Sequence, residues 1–473
     1  MSIVSQSPPN AVPTGVPTGV SDGIPAGIGP EWTPAAESEK VLRPLLSPVV
    51  GIATRLYRQM HDTDDAQAFA VGARACESQR LLGEACAQAA GGGSLDERSA
   101  MLSALGEAAE RYSAAYWPEK HMVQATWSEL NSRGEAAISP SQLSLFSAEQ
   151  LARPDFPYVP FGADTRISWV KGSSLVTGEP TWLPAVLVFL SGPHREQAER
   201  ISHSTSNGIG AGCTWDEAVC SGLLELIERD AFCTVWHNRL SMPLIDPRSD
   251  PEVAAFFERH VDPTGLEVSL IDLSSFCEVP AVLTMVRNRL TDISPTAVGA
   301  AAAATPQRAI VKAVIEAFQT RVWMRAEQRE GNLLPPDTDF DAEVHRFDDH
   351  VRLYAGPGLE HATEFLDESQ ERVAIRDLPK FPDNRPRDLV RALVQKLDSQ
   401  GIDTYVADAT SPDIFEAGMV VARVFAPALV PLDSSFRARF LGSPRLRQRP
   451  LELNLQPRAL SDDELNPYPH PFP

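Results

Sequence analysis

The stretch Ser221-Gly-Leu-Leu-Glu225-Leu-Ile-Glu228-Arg229 has a second copy upstream, Ser103-Ala-Leu-Gly-Glu107-Ala-Ala-Glu110-Arg111. Both read S-x-x-x-E-x-x-E-R. Ser, Glu and Glu fall at i, i+4 and i+7, on one face of a helix, among Ala, Leu, Ile and Gly. Glycines precede each copy, followed by an S/T-x-x-E capping box: Gly91-Gly92-Gly93 before Ser94-x-x-Glu97, and Gly208-Ile-Gly210-Ala-Gly212 before Thr214-x-x-Glu217. A third, looser copy starts at Thr305-Pro306, a good N-cap and N1 pair, and runs to Glu316-Ala-Phe-Gln319-Thr-Arg321, where E-x-x-E has become E-x-x-Q. Periodicity predicts helices over 95–116, 215–239, 306–330 and 387–400. It predicts strands over 166–170, 183–190, 266–273, 279–286, 403–407 and 420–424. The repeats and this alternation predict an α/β (mixed α+β) fold assembled from repeated strand–helix units.

Composition sets the outer limits. The chain has 473 residues, with 42 Lys and Arg against 63 Asp and Glu, for a formal net charge of −21. Such a field repels phosphate polymers and excludes a nucleic-acid binder or a basic membrane-surface protein. A local site with a divalent metal can still hold a phosphate-bearing cofactor. The six cysteines show no C-x-x-C spacing, the first residues carry no basic and apolar signal-peptide pattern, and no apolar run approaches the roughly 18 residues of a membrane span. The expectation is a cytoplasmic protein with reduced thiols. Residues 1–44 are rich in Pro, Gly, Ser and Thr and read as a disordered arm. Residues 45–465 read as one globular domain, and 466–473, ending Pro-His-Pro-Phe-Pro, as a stiff proline-rich tail.

The repeated helices carry the chemistry. Two carboxylates one turn apart repel by about 0.2–0.5 kcal/mol on an exposed helix. When buried they raise each other's pKa unless a cation neutralises them. A solvated glutamate face explains a single E-x-x-E. Two copies with Ser and Arg in register point instead to four converging carboxylates, Glu107, Glu110, Glu225 and Glu228, which suit Mg²⁺ bridging to nucleotide phosphates. The glycine-rich segment 207–212 before a capped helix admits a phosphate reading and, equally, a plain tight turn. His237 reads as a partly buried helix residue rather than a base.

These motifs, with Ser206-Asn207-Gly208 and the proline-rich end, resemble the YcaO proteins, and among them the azoline-forming cyclodehydratases of ribosomal-peptide biosynthesis. The resemblance covers about 45–473. It implies a YcaO-type fold around an ATP site lined by Ser103, Glu107, Glu110, Asn207, Ser221, Glu225, Glu228, Gln319 and Arg321, with Mg²⁺ held by Glu107, Glu110, Glu225 and Glu228. It implies that a Cys, Ser or Thr of a precursor peptide attacks the preceding carbonyl, that ATP phosphorylates the amide oxygen, and that loss of phosphate leaves a thiazoline or oxazoline. It implies that the tail reaches the active site. There His470, with a reference pKa near 6.5, and the terminal carboxylate of Pro473 are candidate catalytic groups. The first glycine segment reads Gly-Gly-Gly-Ser where many members place a Lys. A separate leader-binding partner of the E1-like class is expected, as are an FMN-dependent azoline dehydrogenase and a homodimer within a complex. Thioamide or amidine formation, and a non-catalytic ATP-binding scaffold, are the competing readings.

Overall fold

The computed structural model describes residues 31–79, 89–190 and 199–472. Its strands, in chain order, are β1 (Ala53–Arg58), β2 (Phe69–Ala75), β3 (Ala89–Ser94), β4 (Val123–Ala125), β5 (Ile167–Ser174), β6 (Pro180–Pro184), β7 (Ile209–Gly212), β8 (Leu244–Asp246), β9 (Glu267–Asp272), β10 (Ala281–Arg287), β11 (Thr296–Ala302), β12 (Arg372–Ala374), β13 (Tyr405–Asp408) and β14 (Val420–Phe425). They form three sheets, ordered β1-β2-β3, β4-β5-β13-β14-β7 with β6 on β5, and β11-β10-β9-β8-β12. The helices that position the site are α1 (Ala35–Leu42), α2 (Glu97–Ala114), α3 (Trp215–Asn238), α4 (Pro306–Glu330) and α5 (Phe347–Ala355). The mixed α/β architecture predicted from the repeats is therefore observed.

Three strand–helix units, β3–α2, β7–α3 and β11–α4, bring each helix down on the strand that precedes it. The contact is backbone on backbone. A Cβ at Gly92 would run into Ala100 O and Ala104 N, and one at Gly210 into Ala218 O. Gly299 of β11 meets Ala313 O and Ala317 N in the same way. Gly92 and Gly210 thus lie within strands, where only a residue without a side chain admits a helix this close, while Gly208 forms a tight turn at φ 77° just before β7.

Three other expectations change. The box at Thr214 and Glu217 forms, and Thr305 caps α4 by accepting from Arg308 N at 3.4 Å. The first helix is instead capped by Asp96, which accepts from Ser99 N at 2.9 Å, while Ser94 ends β3. The strand expected over 183–190 stops at Pro184, where Ala185–Val188 turn helical. Most of residues 35–44, assigned to the disordered arm, is helix α1. Leu42 is buried, and Arg98 of α2 holds Glu39 with Nε at 2.8 Å. Just before it, Thr33 N donates to Glu217 of α3 at 2.6 Å and Trp32 Nε1 to Asp383 O at 2.9 Å. The Pro and Gly content of residues 1–34 hid a short amphipathic segment behind it. The arm up to residue 30 lies outside the described residues.

Candidate active site

Each of the three units delivers a glutamate to the main chain of a strand or its edge. Gly91 N donates to Glu107 Oε2 at 2.9 Å and Gly208 N to Glu225 Oε2 at 2.8 Å. The amide of Ala300 on β11 donates to Glu316. One turn further on, Glu110 and Glu228 complete the set, and Glu228 accepts from Ala302 N at 3.3 Å. The five carboxylates lie within electrostatic reach of one another: Glu110 feels Glu225 and Glu107, Glu228 feels Glu316 and Glu225, and Glu316 feels Glu225 and Glu107.

Three guanidiniums stand among them. Arg229 pairs with Glu225 at 2.6 Å, and Arg111 sits 3.5 Å from Glu107 and 3.9 Å from Glu110. Arg423, in the middle of β14, donates to Thr205 O at 2.6 Å. Burial brings Arg423 down to about 9, against the pull of Glu225. Five carboxyls against three guanidiniums leave part of the group without a cation, and the carboxyls respond by holding their protons. Burial, with Glu225 and Glu107 adding to it, pushes Glu110 up to about 8 although Arg111 opposes it. Glu316 rises to about 8, again through burial. Glu228 is raised well above the usual carboxylate range by burial and by Glu316. The side chains of Glu107, Glu110 and Glu225 keep 35%, 14% and 21% exposure, so a ligand from solvent can reach them.

The donor set is all hard carboxylate oxygen, short of positive charge, which is what Mg²⁺ takes. Among the described residues no three acidic, histidine or cysteine side chains already stand in a metal-holding arrangement. The oxygens are gathered but not closed on one point.

The other residues expected at the site divide. Ser103 and Ser221 are exposed on the carboxylate faces of α2 and α3. Gln319 lies against Gly91 and Gly93 of β3, joining the third unit to the first. Asn207 is 2% exposed and spends its amide inside the protein. Its Nδ2 donates to Thr205 Oγ1 at 2.6 Å and to Leu432 O at 2.9 Å, while its Oδ1 accepts from Leu432 N at 3.0 Å and from Arg229 Nη1 at 3.2 Å. Arg321 points elsewhere. It is fully buried against Asp64 and Asp65 and donates to Ile293 O at 3.1 Å and Ser294 O at 3.2 Å. Arg325, one turn on, joins the same acidic pair.

Glu316, Arg111, Arg229 and Arg423 were not singled out as site residues by sequence reasoning. Register with Glu107 and Glu225 marks Glu316, and a charge inside the apolar run Val420–Phe425 marks Arg423.

The tail is folded in. Phe472 is buried and packs on Phe232 with ring centroids 4.9 Å apart, one turn of α3 beyond Glu228. His470 is buried, its Nε2 meets Asp433 O at 2.7 Å, and its ring stacks on His350 at 3.9 Å. Burial, with His350 beside it, brings His470 down to about 3. The near-neutral titration expected of a proton shuttle is therefore not met. His237, expected to be only partly buried, is 1% exposed and stands 3.4 Å from Asp433 Oδ2. Pro473 lies outside the described residues.

A family model described as YcaO cyclodehydratase, ATP- and Mg²⁺-binding, matches residues 91–430. An uncharacterised protein of the tfuA 3′ region of Rhizobium leguminosarum bv. trifolii is 28% identical over 250 residues, 50% of this chain and 56% of its own. A heterocyclase solved in complex with substrate and cofactor superposes with a TM-score of 0.77 at 25% identity, over 93% of this chain and 57% of its own. A protein from Methanopyrus kandleri solved with AMPPCP and Mg²⁺ superposes with a TM-score of 0.58 at 19% identity, over 84% of this chain and 91% of its own. The chain thus spans little more than half the length of the first relative and of that heterocyclase. No helix among the described residues is long and apolar enough to cross a membrane.

Proposed function

The chain belongs to the YcaO family, and from that premise we propose that it is an ATP-dependent enzyme that cyclodehydrates Cys, Ser or Thr residues of a ribosomal precursor peptide to thiazoline or oxazoline. One observation carries the reading: five glutamates from three matching units crowd around three arginines with too little positive charge. A scaffold protein has no use for buried carboxylates that repel one another.

In this reading Glu107, Glu110, Glu225, Glu228 and Glu316 would hold Mg²⁺. ATP bound with it supplies the phosphoryl group that makes the amide oxygen a leaving group. The chain's own residues do the rest. Main-chain amides at Gly91, Gly208 and Ala300 fix three of the carboxylates, so the site is oriented before ligand arrives. Arg111, Arg229 and Arg423 offset part of the acidic charge and favour phosphate oxygens. In this reading the tail, whose Phe472 packs on Phe232 one turn of α3 beyond Glu228, would shield that side of the site from water. Precursor recognition falls to a separate leader-binding partner, with an FMN-dependent dehydrogenase oxidising azolines where azoles are made.

The test is peptide mass spectrometry with the short Cys-, Ser- or Thr-rich precursor encoded beside the gene. Loss of one water mass per ring, with one ADP formed per ring and dependence on Mg²⁺, supports the reading. Exchange of a backbone oxygen for sulfur would show thioamide formation instead. ATP binding without peptide change in the presence of the partner would show a scaffold.

A further inference from the structure

A segment with proline at 467, 469 and 471 has no N–H at those positions, so it docks through its carbonyl oxygens. The donors come from side chains. Arg439 Nη1 donates to Asn466 O at 2.7 Å and Trp236 Nε1 to Tyr468 O at 3.2 Å. Tyr354 Oη donates to Pro469 O at 2.7 Å, and His350 Nδ1 meets His470 O at 2.8 Å. The last two donors stand one turn apart on α5, in a helix face otherwise buried through Val351, Leu353 and Ala355.

Two successive carbonyls matched by donors at i and i+4 fix the register of the tail. A slip of one residue would carry the Phe472 ring off Phe232 and His470 Nε2 off Asp433 O, so the two donors hold the same register that these side chains need. His350 ties the segment at Asp433 and Ser434 into the same joint, since its Nε2 faces Ser434 O at 3.3 Å while His470 reaches Asp433 O. Burial holds His350 below its ordinary value against the pull of Asp433, so the ring is neutral with one N–H. The shorter contact, to His470 O, takes that proton. Leucine and phenylalanine would fill the same space on α5, so the polar atoms there serve the tail rather than the core.

We propose that His350 and Tyr354 are positioning residues for the cyclisation: they set the register of the tail on α5, and so where Phe472 stands against α3, the helix that carries Glu225 and Glu228. This deepens the cyclodehydratase reading and rests on it.

The experiment uses the full chain carrying Tyr354→Phe, His350→Leu or His350→Asn. Asparagine restores a donor near the position of Nδ1. Three readouts are taken: cyclisation of the precursor encoded beside the gene, titration with AMPPCP and Mg²⁺, and hydrogen exchange at the amides of His470 and Phe472. Y354F and H350L are expected to slow cyclisation about tenfold or more and to speed tail exchange, with AMPPCP affinity within about twofold of wild type. H350N recovers most of the rate. Wild-type rates in Y354F and H350L, parallel losses of nucleotide affinity, or H350N no better than H350L each overturn the assignment. If the wild type cyclises no peptide, the functional reading fails, and exchange alone decides the joint: unchanged tail exchange in both donor-less variants then overturns it.

Discussion

Replacing Asn207 should cost the protein more than any single glutamate of the cluster. Asn207→Ala removes a side chain that is 2% exposed and makes four hydrogen bonds. The Thr205 hydroxyl can turn to another acceptor. Leu432 N, Leu432 O and Arg229 Nη1 have no such freedom and are left unpaired. At about 1–3 kcal/mol for each buried group stranded, the loss is about 3–6 kcal/mol, allowing for water reaching some of them. Against a total stability of about 5–15 kcal/mol that is a severe lesion. It also unseats Arg229, whose other end holds Glu225, so AMPPCP affinity in the presence of Mg²⁺ should fall with stability. Asn207→Asp separates the two edges of the amide. It keeps the acceptor for Leu432 N and Arg229 but sets a second oxygen against Leu432 O. It should therefore fall between wild type and Asn207→Ala. Urea unfolding and nucleotide titration of the three proteins measure both effects. Asn207→Ala within about 0.5 kcal/mol of wild type would refute the argument, since that is the range of surface substitutions.

Glu110→Gln and Glu228→Gln remove charges that oppose folding in the absence of a cation. Their thermal midpoints should equal or exceed wild type while ATP consumption falls by at least about 100-fold, the scale of losing one electrostatic group from a reaction site; a lowered midpoint with intact turnover counts against the cluster. Arg321→Met removes the guanidinium that Asp64 and buried Asp65 share and should destabilise by about 1–3 kcal/mol, less than the loss of a whole buried pair because Arg325 still holds Asp65; a change within about 0.5 kcal/mol of wild type would argue against this network. His470 and His203 are brought down to about 3 and about 4 by burial, so both are neutral in the fold, whereas the unfolded chain takes up their protons below about 6.5. Their stabilisation is whole above that pH and is lost as pH falls towards 4, with Asp433, held below the usual carboxylate range despite burial, adding its own loss lower still; a thermal midpoint that is flat or rises on going from about pH 7 to about pH 5 contradicts this. Cyclisation by the isolated chain should be slow and should accelerate when a leader-binding partner is added; fast, leader-dependent cyclisation by the chain alone removes the need for that partner.

What the sequence disclosed follows from where its demands were unusual. Paired carboxylates among Ala, Leu and Gly make a poor surface and a poor core, so their duplication on α2 and α3 was visible without coordinates. Glu316 kept only half of that signal, because Gln319 stands where the second carboxylate would be. Arg423 sits alone among Val and Ala, and its partners come from three other elements. Asn207 and Arg321 show the converse. The family resemblance implied a ligand-facing role for both, yet hydrogen bonding turns Asn207 inward and two aspartates of a distant loop occupy Arg321. Glycine composition does not separate a phosphate loop from a strand under a close helix. Gly92 and Gly210 needed the helix backbone in place before their purpose could be read. The tail was legible as stiff and apolar because proline and aromatic content decide that locally, while the four donors that receive it are spread over α3, α5 and the loop at Arg439.

The cluster and the tail are not independent parts, because one strap serves both. Glu225 holds Arg229, Arg229 reaches Asn207, and Asn207 grips both main-chain groups of Leu432. The next residue, Asp433, offers its carbonyl to His470 and its carboxylate to His237. Two residues before Leu432, Val430 N is held by Asp230, which follows Arg229 on α3 and pairs with Arg445 at 2.9 Å. The strap from Val430 to Asp433 is thus anchored at both ends on α3, the helix that carries Glu225 and Glu228. A slip in the tail joint is taken up at Asp433 and Ser434, while Leu432 stays gripped by Asn207, so nucleotide affinity is kept although both joints draw on one strap. A pre-formed carboxylate site, fixed by main-chain amides, loses little on binding an ion but transmits any displacement of those amides directly. Substitutions in the tail joint and in the cluster share partners through this strap, so their effects on cyclisation should depart from additivity although none of the residues touch.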